Sequence, residues 1–215
     1  MANQTSPQET LSKRITAGML RLGTALRSHA WEGAAAAGLT PTQGEILTLL
    51  LMRNAPMRLG DIARDAALTS ATVSEAVSTL ENKGLLEKRR DANDGRALAL
   101  RLTARGKTAA RKASQWPDFL VSACDGLSDK EQGQMYRLLV KMIYGMQGRG
   151  DIPTQRMCVS CAHFDPAAHA RGAAPYHCGY FDIALDDAHL RLDCNGHEIA
   201  DATTQRKTWR IFSKG

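Results

Sequence analysis

The sequence predicts a mainly α chain of the α+β kind with one small β-hairpin, followed by a small irregular module rich in cysteine and histidine. Three observations predict it. Apolar residues recur at helical spacing through the first two thirds of the chain, two leucine-rich strand-like runs flank Asp94-Gly95, and four of the five cysteines lie beyond position 150. A length of 215 residues holds one large domain, or a domain of about 150 residues with a small module attached. At 43% hydrophobic and 23% charged the composition is that of a globular protein, which excludes collagen-like and disordered classes.

The elements follow in order. Leu11, Ile15, Met19, Leu22 and Leu26 form one stripe on a long helix starting after Thr10 and ending before Trp31; the alanines at 34–37, between Gly33 and Gly38, either continue it or form a loop. Thr40-Pro41 opens a second helix through Ile46, Leu47, Leu50 and Leu51 to Asn54, closed by Pro56. Two short helices, Leu59–Ala66 and Ser70–Lys83, are joined by Ala67-Leu68-Thr69, which is helix-turn-helix spacing. On the second of them Val73, Val77 and Leu80 share one side. The other side carries Ala71, Glu75, Ser78 and Asn82, flanked by Thr72 and Ser74, a small polar face that fits a major groove.

Strands Leu85–Arg90 and Ala97–Leu102 make the hairpin, with Leu98, Leu100 and Leu102 expected inward and Ala99 and Arg101 outward. Thr103 to Gly106 opens a helix carrying Trp116, Phe119 and Leu120, bent or restarted by Pro117. Ser128-Asp-Lys-Glu131 is a capping box before a helix with Met135, Leu138, Leu139, Met142 and Ile143, ended by Gly145, Gly148 and Gly150. Thr208-Trp-Arg-Ile-Phe212 alternates as a terminal strand does.

Charge divides the chain in two. Residues 1–150 hold 21 Lys and Arg against 14 Asp and Glu, a net +7, whereas residues 151–215 hold 7 against 8, a net −1. Ten of the cations fall within residues 83–112, the footprint of a nucleic-acid contact. The expected division is therefore a basic, nucleic-acid-binding domain at 1–150, to which the family resemblance described next adds dimerisation, and a Cys/His-rich, metal-binding module at 151–215. No apolar run is long enough to span a bilayer, and the first residues lack the basic-then-apolar order of a secretory signal, so a cytoplasmic location and reduced cysteines are expected.

The run Leu80–Gly106, with Leu39-Thr-Pro-Thr-Gln43 and Gly60-Asp-Ile-Ala63 before it, resembles the MarR family of winged-helix regulators over about two thirds of the chain. The resemblance implies a winged helix-turn-helix fold, a homodimer built from the terminal helices, and a pseudo-palindromic double-stranded operator. Members usually repress, and a ligand or oxidant resets the spacing of their two reading heads. Independently, Arg96 at the wing tip suits a narrow minor groove with Asp94 orienting it, and Lys88, Arg89, Arg90 and Arg101 suit phosphates. The plainer alternative is a solvated basic hairpin. Glu75 departs from the family, which often has a basic residue there. Its carboxylate accepts from a cytosine amino group, repels phosphate, or pairs on the helix surface, and the sequence leaves the three open.

Cys158-x2-Cys161-x16-Cys178-x15-Cys194 supplies four thiolates, enough for a tetrahedral zinc or an iron–sulfur cluster. Only the first pair is close, unlike most structural zinc sites, and His163, His177 and His197 are alternative ligands. The surrounding segment is loosely similar to the cluster-binding part of high-potential iron–sulfur proteins. Phe164, Tyr176, Tyr180 and Phe181 are then either a cluster's apolar shell or the module's own core. An iron–sulfur cluster, four-iron or two-iron, is the expected cofactor, with zinc as the alternative; metal ligation contributes on the order of 10 kcal/mol to so small a module. Cys124 reads as a helix-packing cysteine, or less readily as a redox thiol.

These residues predict a dimeric transcriptional regulator, a repressor by analogy, with a metal- or redox-sensing tail and no enzymatic activity. One alternative is the same regulator with a purely structural zinc and a small-molecule effector. Another is a redox protein that uses the winged helix as a scaffold. Against the last stands the absence of a Gly-rich phosphate loop, a nucleophile elbow and a His-Glu-x-x-His motif.

Overall fold

The computed structural model describes residues 9–90, 98–170 and 172–214. It divides into two compact units, Met1–Ile62 with Ser70–Val121, and Ala63–Thr69 with Ser122–Gly215. Composition placed the boundary at residues 150–153. The compact units part earlier because composition follows chemistry, whereas compactness follows shared apolar contacts.

In the first unit, α1 (Leu11–Ala36) starts at Thr10, whose hydroxyl accepts from the Lys13 amide. It does not stop before Trp31. The alanine run is the strongest helix former available, and the chain turns only at Gly38, which takes a left-handed φ of 63°. α2 (Pro41–Arg53) carries a complete capping box from Thr40 and Gln43. β1 (Met57–Arg58), α3 (Leu59–Asp65) and α4 (Ser70–Asn82) follow, then β2 (Leu86–Arg90), β3 (Leu98–Leu102), α5 (Ala104–Ala113) and α6 (Asp118–Asp125). α3 and α6 each cross from one unit into the other.

The sheet runs antiparallel in the order β1-β3-β2, with Met57 opposite Leu100 and Lys88 opposite Leu100 on the other side. Ile46, Leu47, Leu50, Val73, Val77, Leu80, Leu86 and Leu100 form the core. Leu98 departs from the expected alternation: it is 56% exposed while Ala99 is buried. β1 pairs only with Ala99 and Leu100, so no strand lies beside Leu98 on that edge. Glycine is required at two close approaches. The Trp116 ring occupies the space a Cβ on Gly44 would take, and a Cβ on Gly106 would collide with the Leu85 carbonyl oxygen.

In the second unit, α7 (Asp129–Arg149) begins with the predicted capping box of Ser128 and Glu131 and ends at Gly150, φ 78°. Strands β4 (Phe164–Asp165), β5 (Tyr176–Cys178) and β6 (Ile183–Leu185) form an antiparallel sheet in sequence order. The last element is α8 (Ala202–Phe212), a helix where alternation suggested a strand. Five residues satisfy either period. The cap decides, because Asp201 accepts from the Thr203 and Thr204 amides, and Thr208 and Phe212, one helical turn apart, are both buried. Val140 of α7 joins Met157, Val159, Phe164, Tyr176, Leu185, Leu190 and Phe212 in one core, so α7 is the floor of the cysteine-rich segment. Among the described residues no helix is long and apolar enough to cross a membrane.

Two predictions follow from this packing. Gly106→Ala displaces backbone against backbone and is expected to cost about 1–3 kcal/mol; an unchanged urea midpoint would refute the contact. The second concerns acid. The Ser128 hydroxyl holds Glu131, and the Thr204 hydroxyl holds Asp201, below the usual carboxylate range. A depressed pKa stabilises fully above the unfolded values of 4.5 and 3.8 and is lost as pH falls through the lower folded values. The contribution of these two carboxylates should thus be constant above about pH 5 and be lost toward about pH 3, so the urea midpoint should fall less steeply between those values in Glu131→Gln than in the wild type.

Candidate DNA-reading surface and cysteine pocket

α4 splits cleanly into two faces. Val73, Ala76, Val77 and Leu80 are buried, and Ala71, Thr72, Ser74, Glu75, Ser78 and Asn82 are exposed, so every residue assigned from the sequence to the reading face stands in solvent. The Lys83 ammonium anchors the far end of the helix by donating to the Gly38 carbonyl at 2.6 Å and to Gln43 Oε1 at 3.2 Å. Glu75 is exposed, and its backbone carbonyl accepts from the Thr79 hydroxyl.

β2 packs beside α4, and the exposed Lys88, Arg89, Arg90 and Arg101 line the hairpin. These cations are not idle. Lys88 Nζ lies 2.6 Å from Glu81 Oε2, and Arg89 pairs two-pronged with Glu87 at 3.1 Å through each nitrogen, which holds the Glu87 carboxyl below its usual range. Both pairs are solvent-facing, so each contributes little stability and exchanges readily for phosphate. Asp94 and Arg96, assigned from the sequence to the wing tip, lie outside the described residues.

In the second unit Cys158, Cys161, Cys178 and Cys194 line a single pocket, walled by Phe164, Phe181, Ile183 and Leu185. Cys158 opens a short 3-10 turn, Cys161 directly follows it, Cys178 ends β5, and Cys194 lies in the long connection to α8. Backbone bonds draw these segments together: the Cys158 amide donates to Arg191 O, the Cys194 amide to Arg156 O, and the Ala200 amide to Ser160 O, each at 3.0 Å. Cys178 pairs across strands with Phe164. Two donors already face sulfur, the Arg191 amide to Cys158 at 3.3 Å and the Arg191 guanidinium to Cys194 at 3.9 Å. Burial, with smaller contributions from the neighbouring cysteines, pushes the Cys158 thiol up to about 11. Coordination to a cation reverses that balance by removing the proton outright.

The tail histidines are otherwise engaged. His163 Nε2 pairs with Glu198 at 3.2 Å, and His177 Nε2 with Asp182 at 3.3 Å. His197 Nε2 meets the Ser160 hydroxyl at 3.1 Å, and that hydroxyl itself donates to Met157 O, so the network assigns the proton to His197 Nε2. His163 and His197 line the same pocket as the four cysteines, each with a hydrogen-bond partner outside that lining, whereas His177 does not line it. Among the described residues no three His, Cys, Asp or Glu side chains are gathered closely enough for one metal ion. Cys124 stands apart, at the edge of a different hollow of about 530 Å³ with Leu127, Met135, Tyr136 and Leu139.

A model described as the MarR family matches residues 39–98. The transcriptional regulator MgrA of Staphylococcus aureus is 30% identical over 106 residues, covering 71% of that protein and 49% of this chain. The chain belongs to the MarR family. The repressor Rv2887 of Mycobacterium tuberculosis is 28% identical over 130 residues, 89% of that protein and 58% of this chain. The S. aureus MepR–DNA complex is similar with a TM-score of 0.50 and 25% identity, over 64% of this chain and 99% of that one. Membership accounts for the winged-helix elements, and each of these three matches leaves at least a third of the chain uncovered. Sequence reasoning missed Arg191, the residue that faces two of the four sulfurs. It stands 33 residues from Cys158 with no local pattern to mark it.

Proposed function

We propose that the protein is a homodimeric transcriptional regulator that reads a pseudo-palindromic DNA operator, acts as a repressor, and carries in its cysteine pocket a metal centre sensitive to metal or redox state. The observation that carries the DNA reading is the exposed small polar face of α4 beside the exposed cations of the hairpin. Small side chains let the helix backbone approach base edges, and Ser, Thr and Glu supply the donors and acceptors that discriminate them. Lys88, Arg89, Arg90 and Arg101 take phosphates, and Arg96 takes the minor groove. A repressor in Mycobacterium tuberculosis and a DNA complex in Staphylococcus aureus among the relatives support this reading.

The dimer reading rests on α1. Of the stripe that the periodicity placed on one face, Leu11, Ile15, Leu22 and Leu26 are 68%, 46%, 45% and 37% exposed in the single chain, and Met19 is half-buried. An apolar stripe of that length in water marks an interface. For the pocket, four thiolates fit a closed metal centre, which withholds the open position a catalytic metal needs. When bound, such a centre supplies a group whose oxidation or loss changes the folding of the segment around it.

Four measurements test this. Duplexes selected from random DNA by the purified protein should contain inverted half-sites. Lys88→Ala and Arg101→Ala are each expected to weaken binding across sequences and to reduce the salt slope by about one; an unchanged slope would remove the hairpin from the contact. Leu22→Glu should sediment as a monomer with at least a tenfold loss of operator affinity, and a dimer of normal affinity would overturn the role given to α1. If Glu75→Gln alters neither operator choice nor affinity, Glu75 reads nothing.

A further inference from the structure

We infer that the four-cysteine pocket takes an iron–sulfur cluster of the four-iron, cubane type, with Tyr180 and Phe181 as its cover. The inference rests on the proposal that this pocket is a metal centre, and it decides which centre.

The first argument is spacing. A single zinc needs four sulfurs at about 2.3 Å from one point, and therefore about 3.8 Å from one another. The four thiols surround one pocket, yet no three of them meet on a point as one ion requires. A cubane places a separate iron beside each thiolate, so its ligands stand around a body rather than on a centre. They come from three separated stretches, the 3-10 turn, the end of β5 and the loop before α8. This suits a ring of ligands better than two adjacent pairs on tight turns.

The second argument is the wall. Phe164 and Leu185 are buried beside the thiols, and Phe181 and Ile183, each 41% exposed, continue the apolar wall outward. A mononuclear tetrathiolate needs no such shell, whereas a cluster's bridging sulfides are protected by one. The Arg191 amide and guanidinium offset the negative charge of thiolates and sulfides, because both point at ligand sulfur.

The cover is built on the missing Cβ of Gly196, which lines the pocket and lies beneath the Tyr180 ring. Phe181 stands edge-on to Tyr180 with centroids 4.8 Å apart, and the Arg191 guanidinium sits 4.4 Å above the Phe181 ring. One arginine thus holds both a ligand sulfur and the cover. Loading takes up two ferrous ions, two ferric ions and four sulfides, replaces four S–H bonds with four S–Fe bonds, releases the four thiol protons to solvent, and oxidises no cysteine.

The test uses the full chain, purified without oxygen and reconstituted with equal amounts of ferrous and ferric iron, and sulfide. About four iron and about four sulfide per chain, with broad visible absorption, are expected. One zinc without sulfide, or two iron, overturns the cluster but leaves the metal centre and the regulator standing. No metal overturns both pocket readings, while operator binding by that same metal-free protein still tests the DNA reading on its own. Cys158→Ser should lose the absorption. Because that variant is liable to unfold, Cys124→Ser and Gly196→Val carry the decision. Cys124→Ser should load fully, and a failure to load refutes the four-ligand assignment. Gly196→Val keeps every thiolate and should bleach several-fold faster in air; an unchanged rate refutes the cover.

Discussion

The second unit depends on one constraint: residues 151–215 hold too few large aliphatic side chains to close a core, so they take their floor from α7. Val140 is buried against Met157 and Phe212, and Tyr144 stacks on Trp209 with ring centroids 4.2 Å apart. Polar ties follow the apolar ones. The Tyr136 hydroxyl donates to Leu190 O at 2.9 Å, and Arg137 and Lys141 donate to the carbonyls of Phe212 and Ser213 at the C-terminal end of α8, where cations are favoured. A tail so attached is part of the helix's environment rather than an appendage to it.

What the sequence made legible was local. The capping boxes at Thr40 and Ser128, the turn at Ala67-Leu68-Thr69 and the two faces of α4 are each decided within a few residues, and each is found where the pattern placed it. What escaped was decided at a distance. Met57 and Arg58 are a strand only because β3 pairs with them. α8 was misread because five alternating residues also fit a helix, and the informative signal was Asp201 ahead of Thr204 rather than the apolar pattern. The same limit governed the site. Spacing gave the number of thiols and their loop settings, but their convergence comes from backbone pairing between Cys158, Arg191, Cys194 and Arg156, and the seat of Tyr180 comes from the absent side chain of Gly196.

The reading surface carries its own restraint. Glu81 and Glu87 pair with Lys88 and Arg89, so phosphate contact by these cations, as proposed, would be an exchange of partners. Exchange lowers the sequence-independent part of binding, which is electrostatic, and leaves base contacts by α4 with a larger share of the discrimination. Glu75, exposed on the same face, would act in the same direction if its carboxylate opposes phosphate rather than accepting from a base.

α7 gives the two chemistries a common element. Its inner side supports the cysteine segment through Val140, while Leu138 and Met142 remain 59% and 41% exposed on the same helix. If those residues join the dimer interface that the α1 stripe also calls for, any change in the cysteine pocket alters the support of a helix that the dimer uses. No wire of contacts is then needed. On the proposed reading, metal ligation would add to the apolar burial that holds this segment, and its loss would weaken the inner support of α7 through the residues that bind the two together. The free energy available for such a shift is bounded by what ligation contributes to that segment, so a strongly held module is also the stronger switch.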